Sequence, residues 1–123
     1  MATFKRFEDI LAWQTAREVT ARVYEATQDG AFSKDFGLRD QIRRASVSVM
    51  ANIAEGFGRT SDREFANFLN MAHRSAAECQ SHLDVALDLK YLSETEFEQL
   101  YTKFEECSRM IIGLSHHLRK IPN

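Results

Sequence analysis

From Phe97 onward the apolar residues recur at steps of three and four: Phe97, Leu100, Tyr101, Phe104, Cys107, Ile111, Leu114 and Leu118. That spacing puts them on one side of a 3.6-residue helix. Ser93 and Glu96, just ahead of the run, have the form of a capping box and predict where it starts. The preceding stretch repeats the design, with Ser61 and Glu64 as its cap. Its apolar stripe is Phe65, Phe68, Leu69, Ala72, Ala76, Cys79, Leu83, Ala86 and Leu87. Only a few residues around Leu92-Ser93 join the two, so they are expected to run antiparallel. An earlier segment, from about Glu8 to Gln28, carries Ile10, Trp13, Ala16, Val19, Val23 and Tyr24, widened by Ala12 and Ala26. A fourth runs from about Ser33 to Glu55. The breaks fall at Asp29-Gly30-Ala31, at Gly56-Phe57-Gly58 and around Leu92-Ser93. With no internal repeat and no long linker, the pattern predicts an all-α protein. Its architecture is an antiparallel up-and-down four-helix bundle, one domain over residues 1–123.

The Ser33–Glu55 segment is the most informative. At 100° per residue, Leu38, Ile42, Ala45, Val49 and Ile53 share a face, and Val47, Met50 and Ala54 extend it to an apolar arc of roughly 200°. A helix on one side of a bundle needs about half of that. The surplus predicts a covering subunit, with Val47, Met50 and Ala54 in the oligomer interface. On the other side Gln41, Arg44, Ser48, Asn52, Glu55 and Arg59 fall in a narrow arc. Two readings stay open. One is a solvated face whose ion pairs contribute under about 1 kcal/mol each. The other is an organised polar site or interface made of Arg44, Ser48, Asn52, Glu55 and Arg59. Ser48 and Asn52 favour it, because short polar side chains are poor helix formers. Across a close helix contact or around a channel, an unpaired group costs about 1–3 kcal/mol. Gly56 and Gly58 are expected to end the helix tightly and leave Arg59 near its C-terminal carbonyls.

The run Gln41-Ile42-Arg43-Arg44-Ala45-Ser46-Val47-Ser48-Val49-Met50-Ala51-Asn52-Ile53-Ala54-Glu55-Gly56-Phe57-Gly58-Arg59 closely resembles the signature of the bacterial four helix bundle protein family, also called the 23S rRNA-intervening sequence proteins. Phe7-Glu8-Asp9-Ile10 with Trp13-Gln14 and Ala16, Glu64-Phe65 with Phe68-Leu69, Ser75 with Glu78, and Leu87 to Leu92 extend the similarity over nearly the whole chain. Two departures stand out. Relatives often have proline at the position of Met50, where a kink would follow, and a glycine at the position of Arg74. The resemblance implies an up-and-down bundle assembling as a ring-shaped pentamer. Some members are encoded within intervening sequences of large-subunit ribosomal RNA genes. A distant relative is a basic, nucleic-acid-binding pentamer that assists a retroelement reverse transcriptase.

Charge argues against carrying that last role over. The net charge is −2, whereas sequence-indifferent nucleic-acid binders usually carry a basic excess that neutralises phosphates. The halves differ mildly, with ten Lys/Arg against nine Asp/Glu in residues 1–63 and six against nine in residues 64–123. RNA or DNA binding stays an alternative through Lys34 to Arg63, where six basic residues face four acidic ones. Cys79 and Cys107 fall on apolar stripes and read as reduced core thiols. The N-terminus turns acidic before any apolar run, so no signal peptide is expected. No stretch approaches the roughly 18 apolar residues of a membrane span. The expected compartment is the cytoplasm. The only proline, Pro122, is too late to interrupt a helix.

No phosphate-loop, dinucleotide, zinc-protease or nucleophile-elbow motif is present. His82 follows Glu78 by one turn with Cys79 beside it, the basis for a third alternative, a metal-dependent enzyme. No second Glu-x-x-His half completes a di-iron pattern. His116 and His117 lie about 100° apart and cannot chelate together on one helix face. Phe57, Phe65 and Phe68 could stack on bases, but their spacing fits core packing. The expectation is a non-enzymatic, homo-oligomeric binding or scaffolding protein without cofactor or metal.

Overall fold

A computed structural model describes residues 4–119, so Pro122 lies outside them. A 3-10 turn at Phe7–Asp9 leads into α1 (Leu11–Ala26), followed by a short α2 (Gly30–Lys34), α3 (Phe36–Phe57), α4 (Asp62–Asp88) and α5 (Glu94–Arg119). The four long helices pack in a cycle, each on its chain neighbours, with α1 closing on α5. The up-and-down bundle expected from the pattern is the fold.

Its core is the union of the four stripes. Val19, Val49, Ile53, Leu69, Leu83 and Phe104 have essentially no exposed surface. Cys79 and Cys107 are buried and unpaired within it. Burial raises both thiols, with the nearby Glu78 and Glu106 charges adding to it, and pushes Cys107 up to about 12. A thiolate-specific reagent at pH 8 is therefore expected to label neither cysteine in the folded chain and both after denaturation. Above the ordinary thiol value of 9.0 the unfolded chain loses these protons while the folded chain keeps them. Stability is full below that value and falls as pH climbs towards 12.

The caps follow the sequence. Ser93 and Glu96 exchange both bonds of a capping box, at 2.9 and 3.1 Å. Ser61 accepts from the Glu64 amide at 3.1 Å. Helix α4 ends in a Schellman turn, where Lys90 takes φ 63° while the Tyr91 and Lys90 amides donate to the Ala86 and Leu87 carbonyls.

Three boundaries correct the expectation. The first segment is not helical from Glu8, because Ile10 is extended and separates the 3-10 turn from α1. The second divides at Asp35. Gly30, at φ 69°, opens the five-residue α2, which buries Phe32. Phe32 stacks on Tyr91 with 5.3 Å between ring centroids. Asp35 caps α3 through the Leu38 amide at 3.2 Å and accepts the Tyr91 hydroxyl at 2.9 Å. Finally, α3 runs unbroken through Met50 and Gly56 to Phe57. Gly58 ends it in ordinary right-handed backbone, and neither Gly56 nor Gly58 has a positive φ. What Gly56 supplies is proximity. A Cβ there would lie 2.7 Å from Phe68 Cβ and 2.9 Å from Phe65 Cδ1.

Candidate functional site

The polar arc of α3 splits into two environments. Ser48 and Asn52 are half-buried on the side facing α4. The hydroxyls of Ser48 and Ser75 lie 2.9 Å apart across the two helices. The Asn52 amide donates to the Ser48 carbonyl at 2.9 Å and to its hydroxyl at 3.1 Å. Short side chains permit this close pairing and also satisfy groups that water reaches poorly. Arg44, Glu55 and Arg59 are exposed instead. Glu55 and Arg59 form a surface ion pair at 3.1 Å, and the Arg59 guanidinium sits 4.6 Å from the Phe68 ring centroid. Arg44 has no ion-pair partner among the described residues. Each reading of the arc thus fits part of it.

The Ser48–Ser75 bond joins the two most extensively packed helices, so its loss should register in stability. Ser48→Ala is expected to lower unfolding free energy by about 1 kcal/mol. Ser48→Ala with Ser75→Ala should cost less than the two single changes added together, because the second removes a partner already lost. Denaturant titrations of the four proteins give the coupling.

On the α1 side of α3 the predicted surplus is narrower than a wheel of that helix suggests. Met50 and Ala54 pack partly against the chain's own core. Val47 remains 43% exposed, beside the exposed Ala51. Across the groove Tyr24 is 39% exposed, and Arg43 lies 4.5 Å from its ring centroid. Arg17 covers Trp13 at 5.6 Å. The Thr20 hydroxyl bonds the Ser46 carbonyl at 3.2 Å and Arg43 donates to Thr27 at 2.8 Å, so the α1–α3 register is fixed by hydrogen bonds. The result is a small apolar strip on rigid helices, flanked by Arg17, Arg43 and Arg44. Sequence reasoning places Tyr24 on the first segment's apolar sector but misses Ser75 and Thr20 as parts of these faces, because pairing across helices is invisible to a single wheel.

The groups considered for chemistry remain scattered. His82 and Glu78 pair at 3.1 Å on the surface, while Cys79 points into the core. Among the described residues no group of three or more His, Cys, Asp and Glu could hold a metal ion. Phe57 and Phe65 meet edge to face, with centroids 6.2 Å apart, and Phe65 is buried. No helix among the described residues is long and apolar enough to cross a membrane.

Comparison with known proteins adds two findings. The family described as 23S rRNA-intervening sequence protein matches residues 8–113. A solved structure from Bacteroides thetaiotaomicron, described as a protein of unknown function from the S23 ribosomal protein family, superposes with a TM-score of 0.78 at 24% identity. The match covers 85% of this chain and 97% of that one. At that identity the likeness concerns the fold. No curated protein matches the sequence.

Proposed function

Because the chain belongs to the 23S rRNA-intervening sequence protein family, we propose that it is a non-enzymatic scaffold that assembles with copies of itself through the α1–α3 face. The observation that carries this reading is Val47, 43% exposed at the centre of a strip with Tyr24, Ala51 and Ala54. An apolar strip on two rigid helices loses little conformational entropy when covered. The three arginines around it supply a polar rim of the kind that surrounds the apolar centre of an interface. Closure as a ring of five, which the family resemblance implies, makes the contact heterologous: this strip meets a different face of the next copy. The unpaired buried thiols suit a reducing compartment, and the proposal places the scaffold in the cytoplasm.

Light scattering on the purified chain at micromolar concentration tests the proposal. Five copies of 14.2 kDa give about 71 kDa. Another closed multiple would keep self-assembly and replace the ring of five, whereas a single species of 14.2 kDa would reject both.

A further inference from the structure

Between α4 and the C-terminal half of α5 lies a groove of about 310 Å³. Its apolar contact surface is the partly exposed Ile112, with the buried Leu69 and Ile111 beneath. Its rim is polar and unusually one-sided: Asn70 and His73 come from α4, and Ser115, His116 and Arg119 from α5. Among the described residues no Asp or Glu lines it. Arg119 is cationic at every accessible pH, and each imidazole offers an N–H in either protonation state. Ser115 is only 8% exposed and its side chain makes no hydrogen bond among the described residues. Ser115 is nonetheless one of the residues that line the groove.

These features select a ligand class. A metal cation is disfavoured, because among the described residues no carboxylate or thiol joins the two histidines and Arg119 stands beside them. An anion meets several donors converging from two helices. Phosphate, with three acceptor oxygens and a geometry that a guanidinium matches through two parallel bonds, uses more of those donors than a carboxylate does. The exposed side of Ile112 accounts for an apolar body attached to the anion. The volume sits at the lower end of small-molecule pockets, about 300–1,000 Å³.

We propose that this groove binds a small phosphorylated molecule with a planar apolar body, a nucleoside monophosphate being the type. Its phosphate would lie on Arg119, His73, His116 and Ser115, and its ring on Ile112. Every residue involved comes from one chain, so the site does not depend on self-assembly, and its failure would leave the proposed scaffold role untouched.

The test is a calorimetric titration of the full chain with adenosine monophosphate, inorganic phosphate and adenosine, with the histidine ring signals followed by NMR. Expected are saturable binding of the monophosphate at one per chain and shifts at His73 and His116. Phosphate or adenosine alone should bind at least tenfold more weakly. Arg119→Gln, at an exposed site near the end of α5, should weaken the monophosphate at least tenfold with unchanged helical circular dichroism. Any of three results overturns the proposal: no saturation at millimolar monophosphate, affinity indifferent to Arg119→Gln, or binding of single-stranded RNA in the absence of monophosphate binding.

Discussion

Gly56→Ala is expected to lower the melting temperature by up to about 8 °C, even though alanine is the better helix former. The gain in helix propensity is about 1 kcal/mol. Against it, the new methyl would meet Phe68 Cβ at 2.7 Å, Phe65 Cδ1 at 2.9 Å and the Phe65 carbonyl oxygen at 3.3 Å. Phe68 Cβ and the carbonyl belong to the frame of α4 and cannot swing aside, so the two helices must separate. Overpacking of this kind costs about 1–3 kcal/mol, and about 4 °C accompanies each kcal/mol in a chain of this size. Gly113→Ala provides the contrast. Nothing lies within 4 Å of a Cβ at that position in α5, so the propensity gain is unopposed and the melting temperature should rise. Scanning calorimetry of both variants separates close approach from flexibility: a rise for Gly56→Ala would mean that α3 and α4 do not meet as tightly as described.

Val47→Glu is expected to dissolve the assembly while leaving the subunit folded. With 43% of Val47 exposed, a carboxylate there can reach water in the lone chain. Under a second copy the same carboxylate would be desolvated, at a cost of several kcal/mol. Each 1.4 kcal/mol is a tenfold change in association, so three would weaken each contact more than a hundredfold. Light scattering should then report 14.2 kDa, with helical circular dichroism unchanged. Val49→Glu, two residues on and fully buried, should instead unfold the chain. An assembly that survives Val47→Glu would place the interface on another face.

The four long helices were legible because each carries an apolar recurrence sustained over several turns, and two announce their starts with Ser-x-x-Glu caps. The division at Asp35 was not legible. It depends on Phe32 and Asp35 engaging Tyr91, 56 residues away from Asp35, and no local pattern encodes that meeting. Gly56 was misread for a related reason. A glycine near a helix end resembles a terminator, yet only the position of Phe65 and Phe68 on the neighbouring helix reveals that it is a packing residue. The wheel of α3 also overstated the uncovered surface, since it cannot know that Met50 and Ala54 rest on the chain's own core. Ser48 and Asn52 stay open on the wheel between a solvated face and an organised polar site, and the Ser75 hydroxyl that Ser48 meets lies on another helix, where no wheel shows it. The α4–α5 groove escaped notice altogether. Its donors are spread from Asn70 to Arg119, and only antiparallel packing gathers them.

Whether a second copy covers the α1–α3 strip is tested most directly by hydroxyl-radical footprinting of the wild-type chain against Val47→Glu at equal concentration. Self-assembly through this strip predicts that labelling of Tyr24 and Met50 falls several-fold in the wild type, while His116 across the bundle is labelled alike in both. Equal labelling of Tyr24 and Met50 in the two proteins would contradict it.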